Sequence, residues 1–212
     1  MTEILRISQL RPDRAVIKKA VKVLDAKGVV MYPTESSYAL GVNALERTAV
    51  KKLFEIKGRS TNKPIPVIVP DLKTWEKYAY FNRRAERLVR VFMPGPLTLA
   101  LRKRSSVPNE LNRFAIAARI PSHPVALALV CKAKYPVTST SANIAGQPPA
   151  YSPKSVSRSL RSRIDLILDA GRLKRRRYST IVDLTKHNGP VVIREGAIPT
   201  STILRTLTRG EP

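Results

Sequence analysis

The stretch VVMYPTESSYALG, residues 29–41, decides the fold. Its first four residues are an apolar run with β-branched valines, and Pro33 ends the run, a pattern that predicts a short buried strand. Residues 13–27 before this strand and residues 46–57 after it carry apolar side chains at helical spacing. A buried strand between two amphipathic helices predicts an α/β protein, in which helices cover a sheet.

The same alternation continues along the chain. Further strands are predicted at 65–69, 97–101, 114–119, 137–140, 164–168, 180–184 and 190–194, and further helices at 73–80, 83–92, 124–134 and 153–161. The last three strands follow one another through short turns, which predicts an antiparallel element. We therefore expect an α/β (α+β) fold, a twisted mixed sheet flanked by helices, in a single domain over 1–212. Its core would cover about 12–197, with a short C-terminal tail in which 200–208 form a weak helix.

The composition narrows the functional class. The chain has 212 residues and a single cysteine, Cys131, so it contains no intramolecular disulfide. With two histidines besides, no zinc or iron–sulfur pattern is present, and we expect no metal-ligating residues. No apolar run approaches the roughly 18 residues of a membrane span, and the N-terminus has no signal-peptide pattern. A cytoplasmic protein that makes no membrane contact is the expectation.

The net charge is strongly positive. The chain has 39 Lys and Arg against 15 Asp and Glu, a formal net charge of +24. Such a surplus attracts polyanions such as nucleotides or RNA. The densest cationic runs lie at Arg172–Arg177 and Arg102–Arg104. Two interpretations stay open, a solvated surface or a face that contacts RNA, and no known RNA-binding signature decides between them.

Three polar tracts follow predicted strands or helices, and no P-loop or Rossmann glycine motif is present. The first, YPTESSYALG at 32–41, puts hydroxyl groups at the end of a strand, where α/β sheets bind ligands. The second, KGRSTNKP at 57–64, groups three cations that could hold phosphates. The third, PVTSTSANIAG at 136–146, offers hydroxyl and amide donors for phosphate or carboxylate oxygens. On local grounds, a plain turn is the better explanation of the first tract and a helix end that of the second, whereas a plain turn explains the third less well.

Together, the tracts resemble a known family. In chain order, the segments YPTESSYALG, KGRSTNKP, PGPLTLAL, ARIPSHP, STSAN, STIVDL and VIREG resemble the YrdC-like family of threonylcarbamoyl-AMP synthases, in a short form without the extra C-terminal domain. The resemblance runs from about residue 12 to residue 197. It includes the two hallmark patterns of the family, K-x-R at Lys57 and Arg59 and S-x-N at Ser141 and Asn143. A YrdC/RibB-like fold is what this resemblance implies.

The resemblance also implies an activity. Enzymes of this family form threonylcarbamoyl-AMP and pyrophosphate from L-threonine, bicarbonate and ATP, and the product serves the t6A modification at position 37 of tRNA. The implied enzyme is a nucleotidyltransferase that uses Mg²⁺ brought with ATP and held mainly by phosphates. Its implied partner is the downstream threonylcarbamoyl-transferase machinery, and contact with tRNA or double-stranded RNA stays open.

Matching the family motifs to this sequence implies the site residues. The implied catalytic set is Lys57, Arg59, Ser141 and Asn143. ATP would be bound by Arg59, Lys63, Ser141, Asn143 and Arg194. Threonine would be bound by Thr34, Ser36, Arg119, Thr140 and Ser179. The run Arg172–Arg177 would flank the site as a mobile loop that attracts phosphate.

Two departures from the family pattern lie near the expected threonine site. Ala39 stands where a glycine is usual, and Ile68 stands where many members have a histidine near threonine. The segment SSYALG is also similar to a YciO-like branch of the family. The alternatives to a synthase are therefore a YciO-like paralogue acting on tRNA or ribosomal RNA, or a non-catalytic protein that binds RNA through its basic surface.

Overall fold

Helices and strands alternate along the chain as predicted. The computed structural model describes residues 1–60, 64–186 and 188–208. The helices are α1 (Arg14–Asp25), α2 (Arg47–Lys57), α3 (Leu72–Glu76), α4 (Arg83–Phe92), α5 (Pro124–Ala133), α6 (Arg158–Arg161) and α7 (Thr200–Thr208). The strands are β1 (Glu3–Arg6), β2 (Val30–Pro33), β3 (Tyr38–Gly41), β4 (Val67–Ile68), β5 (Leu97–Arg102), β6 (Ala115–Arg119), β7 (Val137–Thr138), β8 (Thr140–Ser141), β9 (Leu166–Asp169), β10 (Thr180–Asp183) and β11 (Val191–Arg194).

The strands form two mixed sheets. The first has the order β1-β9-β2-β3-β8 and the second the order β11-β10-β5-β6-β4-β7. Within the first sheet β9 is parallel to β1 and β2, whereas β3 is antiparallel to β2 and β8. Within the second, β5 is parallel to β10 and antiparallel to β6. The mixed α/β fold predicted from the sequence is confirmed, with two sheets in place of one.

Two predictions about single elements are wrong, and one about the C-terminal segment is right. The last three predicted strands do not form one antiparallel element, because β9 lies in the first sheet while β10 and β11 pair antiparallel in the second. The helix predicted at 153–161 is a 3-10 turn followed by α6, because Val156 between them has extended backbone. The helix predicted at 200–208 is confirmed as α7, which buries Ile203 and Leu207 in the main apolar core.

The end of α2 has a local cause that bears on the site. Gly58 follows the helix with φ 57° and ψ 38°, a left-handed conformation that glycine adopts without the penalty of a Cβ atom. Leu53 and Phe54 in the last two turns are buried in the core, which fixes the helix against the sheets. Lys57, the last helical residue, is therefore held in the interior of the protein. Among the described residues, no helix is long and apolar enough to cross a membrane.

Candidate active site

The chain passes from one sheet to the other at Ser139. β7 belongs to the second sheet and β8 to the first, and Ser139 is the residue between them. The backbone N–H of Ser139 donates to the carbonyl oxygen of Pro66 at 2.7 Å. Thr138 N–H donates to the carbonyl oxygen of Val42 at 3.1 Å. The strand predicted at 137–140 is thus two short strands, and its hydroxyl residues lie at the junction of the sheets.

Lys57 fastens the loop that follows this junction. Its ammonium Nζ donates to the carbonyl oxygens of Ser141 at 2.6 Å and Asn143 at 2.8 Å, and to Asn143 Oδ1 at 3.1 Å. Lys57 is 1% exposed, and burial together with the nearby charge of Arg59 lowers its pKa to about 8. Ser141 Oγ donates to the same Asn143 Oδ1 at 2.6 Å. The K-x-R and S-x-N patterns, distant in sequence, meet in one hydrogen-bonded cluster.

This cluster borders a cavity of about 380 Å³. The lining residues are Lys57, Gly58, Arg59, Ser60, Ser141, Asn143, Ala145 and Gly146. Arg59 Nη2 donates to the carbonyl oxygen of Pro64 at 3.1 Å, and burial lowers the pKa of its guanidinium. Asn143 Nδ2 donates to the carbonyl oxygen of Gln147. We call this space the anion cavity, because two cationic side chains and an amide side chain line it. The predicted ATP ligand Lys63 lies outside the described residues.

A larger groove continues from the anion cavity. It measures about 710 Å³ and shares Gly58 and Arg59 with the cavity. Its walls carry Lys51, Arg113 and the aromatic ring of Phe114, which is 79% exposed. Glu55 and Glu110 also line the groove, and Glu110 pairs with Lys51 at 3.8 Å. A ligand longer than a single phosphate therefore has room beside Arg59.

The predicted threonine residues Thr34 and Ser36 lie in the turn between β2 and β3. Thr34 Oγ1 donates to the carbonyl oxygen of Ser37 at 2.7 Å and accepts weakly from the N–H groups of Ser36 and Ser37, both at 3.3 Å. Its hydroxyl therefore stabilises the turn, as the capping interpretation of this tract predicts. Thr34 also lines a second cavity, so it takes part in the turn and in a cavity wall.

Arg119, at the end of β6, is held in a buried ion pair. Its Nε donates to Glu35 Oε1 at 2.8 Å, and its Nη2 donates to Ser139 Oγ at 3.1 Å. The side chains of Arg119 and Glu35 are 6% and 12% exposed. Sequence reasoning names Arg119 and misses Glu35. The signal in the sequence was an acidic residue in the middle of the hydroxyl-rich turn TESS. The hydroxyl groups alone would keep such a turn hydrated, so the acid indicated a further role.

Arg194 and Ser179 approach Arg119 from the second sheet. Arg194 Nη2 donates to the Ser179 carbonyl oxygen at 2.8 Å and to Ser179 Oγ at 3.2 Å, and the guanidinium stacks over Tyr178 at 5.3 Å. Burial and the positive charge of Arg119 both lower the pKa of Arg194. The guanidinium groups of Arg194 and Arg119 thus act on each other electrostatically.

The second cavity, of about 410 Å³, lies beside the hydroxyl turn. Its lining residues are Gln9, Leu10, Thr34, Glu35, Ser122, His123, Pro124, Arg172, Leu173, Lys174 and Arg176. The predicted cationic flank of the site, Arg172–Arg177, therefore contributes directly to a cavity wall. His123 Nδ1 accepts the N–H of Val125 at 3.2 Å, and burial lowers the pKa of this imidazole. We call this space the turn cavity.

The predicted residues thus fall into two neighbouring groups. Lys57, Arg59, Ser141 and Asn143 surround the anion cavity, and Thr34 lines the turn cavity. The segment from Ser139 to Ser141 connects them, since Ser139 contacts Arg119 while Ser141 lines the anion cavity. Thr140, between these two serines, is 5% exposed and pairs with Leu40 in the first sheet. Ser36 is buried and lies 3.4 Å from Thr34 through their hydroxyl oxygens.

Two polar cavities lie near the junction of the two mixed sheets, and cationic side chains line both, an arrangement suited to small anionic ligands. Comparison with known families is more specific. The Sua5/YciO/YrdC family model, described as "Telomere recombination", matches residues 22–196. The chain belongs to this family, which confirms the resemblance inferred from its motifs.

Its relatives include named synthases and a protein without an assigned activity. A Methanocaldococcus jannaschii protein with the provisional name threonylcarbamoyl-AMP synthase is 34% identical over 184 residues, 87% of this chain and 86% of the relative. The threonylcarbamoyl-AMP synthase of Pyrococcus abyssi is 34% identical over 210 residues, 98% of this chain. This chain spans 61% of the length of that enzyme. The uncharacterised Escherichia coli protein YciO is 32% identical over 200 residues, 92% of this chain and 96% of YciO.

Solved structures agree with these sequence relationships. P. abyssi Sua5 complexed with L-threonine superimposes with a TM-score of 0.91 at 34% identity, covering 98% of this chain and 61% of that one. E. coli YciO superimposes with a TM-score of 0.86 at 30% identity, covering 96% of this chain and 100% of YciO. Both branches of the family therefore share this architecture.

Proposed function

We propose that this protein is an L-threonylcarbamoyladenylate synthase, a nucleotidyltransferase that forms threonylcarbamoyl-AMP and pyrophosphate from L-threonine, bicarbonate and ATP for t6A modification of tRNA. The observation that carries the proposal is the cluster of Lys57, Ser141 and Asn143 at the wall of a cavity that Arg59 also lines. Relatives named for this activity and the threonine complex of P. abyssi Sua5 support it.

The carbamate nucleophile and ATP are both anionic, so the fixed cations have a direct task. Threonine's amine takes up bicarbonate with loss of water and forms a carbamate. A carbamate oxygen then attacks the α-phosphorus of ATP, and the bond to the bridging oxygen breaks as pyrophosphate leaves with its electrons. Negative charge grows on the phosphate oxygens in the transition state, and preorganised cations stabilise it. Arg59 in the anion cavity is the proposed phosphate contact, with the adjoining groove as room for the rest of the nucleotide.

Lys57 has a different task from the one that its position in the motif suggests. An ammonium group has three donors, and Lys57 directs three hydrogen bonds to oxygens of Ser141 and Asn143. We therefore assign Lys57 two effects on the nucleotide, a buried positive charge and a fixed position for the loop after β8. Ser141 and Asn143 then hold the nucleotide by hydrogen bonds.

Threonine belongs on the Arg119 side of the junction. Arg119 supplies a guanidinium for the amino-acid carboxylate, and the other proposed threonine contacts are Thr34, Ser36, Thr140 and Ser179. Arg194 is a proposed nucleotide contact. Ile68 is fully buried in an apolar cluster, so it offers no substitute for the histidine common in the family.

Mg²⁺ would enter with ATP. Among the described residues, no group of three or more His, Cys, Asp or Glu side chains is placed to hold a metal ion. The carboxylate of Glu35, which reaches the junction through Arg119 and Ser139, is already bound to Arg119. Phosphate oxygens would supply most ligands of the ion, which would neutralise part of the triphosphate charge. We place this reaction in the cytoplasm, with tRNA and the threonylcarbamoyl-transferase machinery downstream.

Pyrophosphate release tests the proposed function. Purified protein with ATP, Mg²⁺, L-threonine and bicarbonate is expected to release pyrophosphate and to form threonylcarbamoyl-AMP, detected by mass spectrometry. Omission of threonine or of bicarbonate is expected to reduce the rate to background, because no nucleophile forms. A rate that persists without threonine contradicts the proposal. Absence of ATP binding, together with binding to RNA, favours the non-catalytic alternative.

The pH dependence of this rate should have an identifiable descending limb. Because the pKa of Lys57 is lowered to about 8, its positive charge is lost as the pH rises through that value. Turnover is then expected to fall above pH 8. In the unfolded chain, by contrast, this lysine would stay protonated to higher pH. The unfolded state binds more protons in that window, so the contribution of Lys57 to folding stability rises with pH as turnover falls. Rate profiles from pH 7 to 10 check the fall in turnover, and denaturation curves over the same range check the rise in stability. A rate that stays flat to pH 10 contradicts this role of Lys57.

A further inference from the structure

One carboxylate oxygen beside the turn cavity has no partner. Glu35 Oε1 accepts from Arg119 Nε at 2.8 Å, whereas Oε2 is buried and has no hydrogen-bond partner in the described part of the chain. A buried, unpaired acceptor loses its hydration without compensation, so such atoms call for a physical reason. Glu35 is among the residues that line the turn cavity, a space large enough for a small ligand.

The charges around this cavity are unequal. Arg172, Lys174 and Arg176 line it, whereas Glu35 is the one acid among its described lining residues. An ionised carboxylate only accepts hydrogen bonds, so Oε2 requires a donor from its ligand. A ligand that carries an amine would therefore direct it to Glu35.

We propose that Glu35 binds the α-amine of the amino-acid substrate through Oε2 while Oε1 holds Arg119 in place. This inference rests on the proposed function and adds to it the residue that recognises the amine. The same carboxylate thus fixes both ends of the amino acid, directly at the amine and through Arg119 at the carboxylate.

The contacts of Glu35 also indicate where the bound amine lies relative to the nucleotide. Glu35 contacts Arg119, Arg119 contacts Ser139, and Ser139 lies two residues before Ser141 in the wall of the anion cavity. An amine bound to Glu35 is therefore connected, through Arg119 and Ser139, to the segment that borders the proposed nucleotide site. A carbamate formed on that amine starts close to the junction and need not cross the cavity.

Calorimetric titration with two ligands tests the inference. L-Threonine is compared with 2,3-dihydroxybutanoate of the same stereochemistry, which carries a hydroxyl group in place of the amine. The wild-type protein is expected to bind threonine about 10- to 100-fold more tightly, the range for loss of a charge-assisted hydrogen bond. Glu35→Gln keeps an oxygen for Arg119 but loses the negative charge, and is expected to reduce this preference to about threefold or less.

Two further variants separate recognition from folding. Glu46→Gln removes an acid of similar chemistry at the start of α2, where its partner is Lys27 at 3.4 Å, and should keep the full preference. Glu35→Asp retains the charge and should recover part of the preference, and circular dichroism confirms that each variant is folded. If Glu35→Gln does not fold, the aspartate variant and the wild-type comparison decide the matter.

The outcomes distinguish the two proposals. If the wild-type protein binds threonine but prefers it no more than the hydroxy acid, or if Glu35→Gln retains the preference, the role of Glu35 is wrong and the synthase proposal stands. If the wild-type protein binds neither ligand and releases no pyrophosphate, both proposals are wrong. A preference that disappears with Glu35→Gln and survives in Glu46→Gln supports the assignment.

Discussion

Replacement of Lys57 by alanine is expected to lower the rate of pyrophosphate release by about 100-fold or more, the usual cost of removing a preorganised transition-state contact. The substitution removes a buried positive charge and also releases the loop that carries Ser141 and Asn143. Both effects concern how the protein holds the ATP phosphates. Threonine affinity should change little, since the hydrogen bonds described for Lys57 go to Ser141 and Asn143 and not to Arg119.

Lys52→Ala provides the matched control. Lys52 lies on the same helix, is half exposed, and pairs with Asp165 Oδ2 at 3.2 Å on the surface. Removing it changes the net charge equally but leaves the anion cavity intact, so turnover should stay within about twofold of wild type, as for most exposed ion pairs. Lys57→Ala also removes the donor that Lys57 supplies to the Asn143 carbonyl oxygen and is expected to lose about 1–3 kcal/mol of stability, measured by urea denaturation. Equal rates in the two variants would remove Lys57 from the site.

Local periodicity accounts for the parts of the fold that could be predicted. α4 is predicted with its observed ends, and α1, α2 and α5 to within two residues, because their apolar side chains recur at helical spacing and glycine, proline or capping residues mark their ends. β3 was missed because YALG is buried on both faces and therefore shows no alternation. β1 was missed because it is a short strand at the edge of a sheet, with three of its four residues exposed.

The division into two sheets lies beyond local pattern. The strand predicted at 137–140 is a continuous polar and β-branched run, yet the chain changes sheets within it at Ser139. What drives this change is the pairing of β7 with β4 and of β8 with β3, and those partners are far away in sequence. Strand order depends on such long-range pairing, so a single sequence does not reveal it.

From the sequence, the site could be predicted only for residues that belong to the family motifs. Resemblance to a family joined Lys57 and Arg59 with Ser141 and Asn143, and the structure places all four around one cavity. Resemblance did not reveal that the donors of Lys57 are directed to the protein, nor that Arg119 has Glu35 as a partner. Both facts depend on side-chain geometry between segments more than eighty residues apart, for which the separate motifs carry no signal.

Substitutions in the Arg119–Glu35 ion pair are expected to change stability and turnover independently. Arg119→Met leaves the carboxylate of Glu35 buried without its cation, which is expected to cost about 3–5 kcal/mol in the free energy of unfolding. The double variant Arg119→Met/Glu35→Gln no longer buries an unpaired charge, so at least half of that loss should be recovered. Turnover should stay about 100-fold or more below wild type in both variants, because the guanidinium for the threonine carboxylate is absent in each.

The surface pair of Lys19 and Glu3 is the control for this cycle. Its Nζ–Oε1 distance is 2.5 Å, shorter than the Arg119–Glu35 contact, but the two side chains are 49% and 43% exposed. Water solvates whichever charge remains, so Lys19→Met should change stability by no more than about 1 kcal/mol. Chemical denaturation and threonine-dependent pyrophosphate release on the same preparations measure both quantities. Recovery of activity along with stability in the double variant would mean that Arg119 serves the fold alone, and threonine would then need another partner for its carboxylate.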